Sequence, residues 1–130
     1  MLFRSTAFVD DDGGRWRTAL LGEAPAIARG WRGGSQVIKA GDDRWLALVH
    51  EVAEDGGRRI YEHRFVAFSD GCDVVGWSRP FAFRETREIE FAAGLARRGD
   101  QLVATFGVRD AEAWMAEMSL AEVLGMIGVA

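Results

Sequence analysis

Apolar residues along this chain gather in short runs separated by turns rich in glycine and aspartate, and the runs have the length and residue types of β-strands. Turn clusters stand at residues 10–14, 30–34, 41–43, 54–57, 69–71 and 99–100. The run WLALV at residues 45–49 and the run RFVAF at 64–68 are rich in β-forming residues, and the glycine-bearing connection between them has hairpin length. Residues 91–96 and 101–108, joined through 97–100, predict a second hairpin, and residues 112–118 supply a third strand to that meander.

The period changes only near Ser119. There Ser119 and Glu122 fit a capping box, and Leu120, Val123, Leu124 and Ile127 recur at helical spacing, which predicts one short C-terminal helix. The expected fold class is therefore all-β and antiparallel, in a sandwich, barrel or propeller. A weak internal echo, in which each half opens with a glycine-containing segment followed by a paired and then an aromatic-rich strand, suggests two four-stranded blades. On that reading residues 1–29 hold strands whose place is not fixed. Residues 30–80 form a first blade, and 81–130 a second blade with the helix.

Composition narrows the function. At 130 residues with 48% hydrophobic and 28% charged side chains, the chain suits one folded domain. A formal charge of −4 and dispersed arginines argue against nucleic acid, whose phosphates need a basic surface. No apolar run is long enough to cross a bilayer, and the first residues lack the regions of a signal peptide. The single Cys72 cannot form an intrachain disulfide, and no Cys/His spacing fits a metal site, so a cytoplasmic setting without cofactor is expected.

Both histidines fall in one hairpin. His50 and Glu51 end the 45–49 strand, while Tyr61, His63 and Arg64 open the next. Alternation places Tyr61 and His63 on one face and Arg64 on the other. Imidazole and phenol donate while a carboxylate accepts, a set suited to phosphate or sugar hydroxyls, although histidines bonded to backbone fit the same pattern. Arg32, Gly33, Gly34, Ser35 and Gln36 form a loop that either approaches a ligand or enters a blade as a solvated turn. Asp110 and Glu112 at one strand end, with Glu88 and Glu90 before another, are carboxylates able to do acid–base work on a glycosidic bond if their separation suits it.

The segments GGSQVIKAGDDRWLALVHEV, RRIYEHRFVAFSD and WSRPFAFRETREIEFAAGLARRGDQLVATFGVRDAEAWMAEMSLAEVLGMI, taken in order, resemble the C-terminal part of the five-bladed propellers of glycoside hydrolase family 130, the β-mannoside phosphorylases and related hydrolases. The resemblance covers about residues 30–127. It implies that His50 contacts phosphate, that Tyr61 is a ligand-contacting tyrosine on the following strand, and that Asp110 approaches the reactive sugar. His63 is added by alternation. Arg32, Gln36 and Glu90 are expected at the rim. Glu51 stands where the family has glycine, and the segment FGVRD is a loose version of the family's.

The family's catalytic acid, an aspartate of the first blade, and its phosphate-binding cations in earlier blades have no counterpart here. Five blades of about 40 to 50 residues need roughly twice this length or more. The chain thus reads as a propeller portion that binds a saccharide, a sugar phosphate or inorganic phosphate, either within a larger chain or by assembling with copies of itself. The alternative is a non-catalytic carbohydrate-binding or self-assembling module. An unrelated β-sandwich is the third reading.

Overall fold

The computed structural model describes residues 5–11, 13 and 16–129. The turn expected over 10–14 therefore lies partly outside the described residues. β1 (Ser5–Asp11) and β2 (Trp16–Glu23) pair with each other as a separate hairpin. A short 3-10 turn, Ala26–Gly30, follows, a feature the strand pattern did not announce.

The long hairpin lies at the expected place. β4 (Arg44–Asp55) and β5 (Arg58–Ser69) pair over their full length and turn through Gly56 and Gly57, both with positive φ. Two such residues close a two-residue hairpin loop, and glycine adopts that backbone without steric cost. β3 (Ile38–Lys39), β6 (Val74–Trp77) and β10 (Gly128–Val129) complete a five-stranded sheet in the order β10-β6-β5-β4-β3. β7 (Glu90–Arg98), β8 (Gln101–Val108) and β9 (Glu112–Ser119) form the expected meander as a three-stranded sheet. Every pairing is antiparallel.

The strand counts are five and three rather than four and four. The cause is the C-terminal segment. Ser119 caps α1 (Leu120–Met126) by accepting from the Glu122 backbone N–H, and the helix carries the chain back so that β10 pairs with β6 of the first sheet.

The apolar run at 45–49 shows no alternation because β4 is covered on both faces. Leu46 and Leu48 point to the three-stranded sheet and pack with Phe65, Leu95, Leu102 and Val123. Ala47 and Val49 point the other way, toward Ala28, Trp31, Val66 and Phe68. Full burial of a leucine side chain contributes about 1.5–3 kcal/mol, so these two faces fix the register of the hairpin firmly. That register decides which polar side chains meet at its far end.

Candidate functional site

His50 lies directly opposite His63 in the β4–β5 ladder, so their side chains share a face, and Tyr61 joins them two residues along β5. The His50 ring stacks on Tyr61 with centroids 5.3 Å apart and planes within 9°. Arg32 is held beside them by reciprocal backbone hydrogen bonds with His50, of 2.8 and 3.1 Å. Burial lowers the pKa of His50, the Arg32 charge lowers it further, and a backbone contact with Gly33 opposes both. Nδ1 of His50 is buried without a hydrogen-bond partner. Arg59, which sequence patterning passed over, donates to the Tyr61 hydroxyl at 3.4 Å and lies over its ring. Its spacing of two residues from Tyr61 on the same strand was the available signal.

His63 and Glu90 go elsewhere. Both are fully buried where the two sheets meet. Nε2 of His63 accepts from the Ala92 backbone N–H at 3.1 Å, which leaves the ring proton on Nδ1, 3.6 Å from Oε1 of Glu90. Glu90 accepts in turn from the Phe83 N–H through that same oxygen, while its Oε2 has no partner. Burial drives the His63 pKa down to about 4, helped by His50 and opposed by the Phe81 backbone, and burial raises that of Glu90. Glu90 was expected at the rim and has no exposed surface. As the first residue of β7, opposite the buried Val108, it points into the core.

Gln36 is committed to the backbone. Its amide donates to the Leu95 carbonyl at 2.7 Å and accepts from the Leu95 N–H at 3.3 Å, capping the free edge of β7 beside the register shift between Ala92 and Gly94. Arg64 points away from the histidines, as alternation requires, and pairs with Glu51 at 3.0 Å.

Asp110 sits on the turn between β8 and β9, where it and Arg109 both have positive φ. Around this turn Arg109 bridges Glu88 at 3.5 Å and Glu112 at 3.0 Å, Glu112 accepts from the Trp114 indole at 2.8 Å, and Arg84 lies 4.5 Å above the Trp114 ring. The Trp114 hydrogen bond, and then that from Arg109, hold the Glu112 pKa low. Arg84 was not foreseen, because nothing in its local sequence marks the stacking partner.

One short segment brings these groups together. The Tyr61 N–H donates to the Glu88 carbonyl at 3.4 Å, and the Arg109 N–H donates to the Ile89 carbonyl at 2.8 Å. Tyr61 and the Arg109–Asp110 turn therefore flank residues 88–89 at the same end of the two sheets. Among the described residues no hydrogen bond or ion pair joins Asp110 to His50 or Tyr61.

Among solved structures, the beta-1,2-mannobiose phosphorylase from Listeria innocua, in complex with beta-1,2-mannobiose, is similar to this chain with a TM-score of 0.58 and 25% identity. The chain has the fold of part of a family 130-like propeller. The match takes in 87% of this chain and 34% of that one, so the chain spans about a third of the phosphorylase's length. No protein-family model and no curated protein matches the chain. In this partial propeller the two larger sheets stack face to face through the Leu46 and Leu48 side, as propeller blades do. Tyr61, stacked on His50, and the Arg109–Asp110 turn lie at one end of that stack, on either side of residues 88–89. Among the described residues no helix is long and apolar enough to cross a membrane.

Proposed function

We propose that this partial propeller binds a saccharide or sugar phosphate at the end of the stacked sheets, with His50, Tyr61 and Arg32 as the binding face and Asp110 approaching from the neighbouring turn. The observation that carries this reading is the His50–Tyr61 stack with a buried, unpartnered Nδ1 and Arg32 pinned beside it. Both rings are partly exposed, and their imidazole and phenol groups are hydrogen-bonding partners for a ligand hydroxyl or phosphate oxygen. Arg32 and Arg59 add positive charge suited to phosphate. The similar phosphorylase is complexed with mannobiose, which makes mannosides the first ligands to test.

The chain alone binds rather than turns over. Asp110 is the acidic group nearest in role to a catalytic one, and the first-blade acid of the family that the sequence resembles has no counterpart in it. A cytoplasmic setting accords with the single Cys72.

Calorimetric titration of mannobiose, mannose 1-phosphate and inorganic phosphate tests the reading. Saturable binding of at least one is expected, weakened about tenfold in His50→Ala and in Tyr61→Ala with thermal melts little changed. Absence of binding by the parent chain, or affinity unaltered by both substitutions, removes it.

A further inference from the structure

The three-stranded sheet has two faces of very different fate. Leu95, Leu102, Ala104 and Val108 point inward and are buried. The opposite face carries an open groove of about 760 Å³, floored by Thr105, Gly107 and Ala113, with Phe91 and Ala93 on the β7 side and Met115 on the β9 side. Met115 is 65% exposed. Asp110 and Glu112 line one end of this groove, and a thioether so exposed beside its apolar part is a knob beside a hollow, the kind of patch that marks an association surface.

In a propeller each sheet packs face to face on the next. We infer that this outer face of β7, β8 and β9 is covered by the same face of a second copy of the chain, in a two-fold, self-complementary dimer. A two-fold axis along β8 lays β9 of each copy over β7 of the other. Met115 of one copy then sits over the small Ala93 of the second. By alternation Glu117 on β9 and Arg98 on β7 also project from this face, and both are exposed. The same axis sets Glu117 of one copy near Arg98 of the other, twice over, so the charges at that end are complementary.

The size of the face bounds the strength of the contact. Strands about 4.8 Å apart, with residues rising about 3.3 Å, give three strands of eight or nine residues a face of about 14 by 26 Å. Two such faces amount to about 700 Å² in all, below the roughly 1,000 Å² of a stable specific interface, so the dimer is weak and concentration-dependent. This inference does not rest on the saccharide reading.

Sedimentation velocity of the full chain across micromolar to millimolar concentration tests it. A monomer–dimer equilibrium is expected, weakened about tenfold or more by Met115→Lys, whose side chain is solvent-exposed in the monomer. Ala113→Arg is expected to act likewise and serves should Met115→Lys fail to fold. Glu117→Arg is expected to weaken dimerisation severalfold, and Arg98→Glu added to it to restore it. A monomer at every concentration overturns the inference. So does association insensitive to these face substitutions, which would place the contact on strand edges instead.

Discussion

His63 and Glu90 face each other where the two sheets meet, Nδ1 3.6 Å from Oε1, and neither has exposed surface. The pair ties three segments together: β5 through His63, β7 through Glu90 and Ala92, and the 81–83 connection through the Phe83 N–H. Phe81 and Phe83 rings lie against the imidazole at 5.9 and 4.8 Å, which accounts for the desolvation that dominates its titration. A doubly protonated His63 would also point an N–H at the N–H of Ala92, so the neutral ring is favoured on hydrogen-bonding grounds as well.

A pH dependence of stability follows, with opposite signs for the two partners. His63 takes up its proton near pH 4 when folded and near 6.5 when unfolded. Between those values the unfolded chain binds the extra proton, so stability falls as pH drops from 6.5 to about 4 and is level below that. The full span corresponds to about 3 kcal/mol. His50, also lowered, adds in the same direction. Glu90 is raised above 4.5, so the folded chain takes its proton first and stability is regained as pH falls through that raised range. Urea unfolding at pH 4, 5, 6 and 7 is expected to show a shallower acid loss in His63→Gln than in the parent, and a steeper one in Glu90→Gln. Parallel curves for all three would show that the pair does not titrate with folding.

Gln36 illustrates a second kind of polar group, one whose work is done on the backbone. Both of its amide hydrogen bonds go to Leu95 at the edge of β7. Gln36→Glu keeps the shape but sets a carboxylate against the Leu95 carbonyl, and a loss of about 1–3 kcal/mol is expected in urea unfolding. Saccharide affinity measured on the same protein is expected to stay unchanged. A loss of affinity with stability intact would instead return Gln36 to the binding face.

The strands and the helix were legible because their signals are local. The 45–49 run, the Gly56–Gly57 turn and the Ser119 cap each act within a few residues, and the hairpin, meander and helix stand where those signals put them. The face shared by Tyr61 and His63 was legible too, through alternation, whereas His50 joins it through the hairpin register that sets it opposite His63. Depth was not. Alternation assigns a face without saying how far the second sheet extends over it, and Phe81, Phe83 and Ala92 cover His63 while leaving His50 and Tyr61 partly exposed. The same limit applies to Gly34, whose close approach to Leu48 is a long-range contact. An added Cβ there would stand 2.5 Å from the Leu48 carbonyl oxygen. The return of β10 to β6 is set by the helix's packing, which no strand pattern encodes.

Asp110 offers the sharpest separation of function from structure, because its backbone and its side chain make opposite demands. With φ of 56°, and Arg109 before it at 53°, the turn between β8 and β9 holds two consecutive non-glycine residues in the left-handed region. Such a residue costs roughly 1–2 kcal/mol, less for aspartate, and the Ala111 N–H to Val108 carbonyl bond closes a tight hairpin turn that requires this backbone at both central positions. Asp110→Gly relieves the backbone and removes the carboxylate. It is expected to leave stability unchanged or raise it by up to about 1 kcal/mol, while weakening mannoside or sugar phosphate binding about tenfold. Asp110→Ala is expected to weaken binding equally and to lower stability, since alanine gains no freedom at positive φ. Urea unfolding and calorimetric titration on both variants separate these effects. A gain in stability from Asp110→Gly with affinity unaltered would mean that the aspartate serves only the turn.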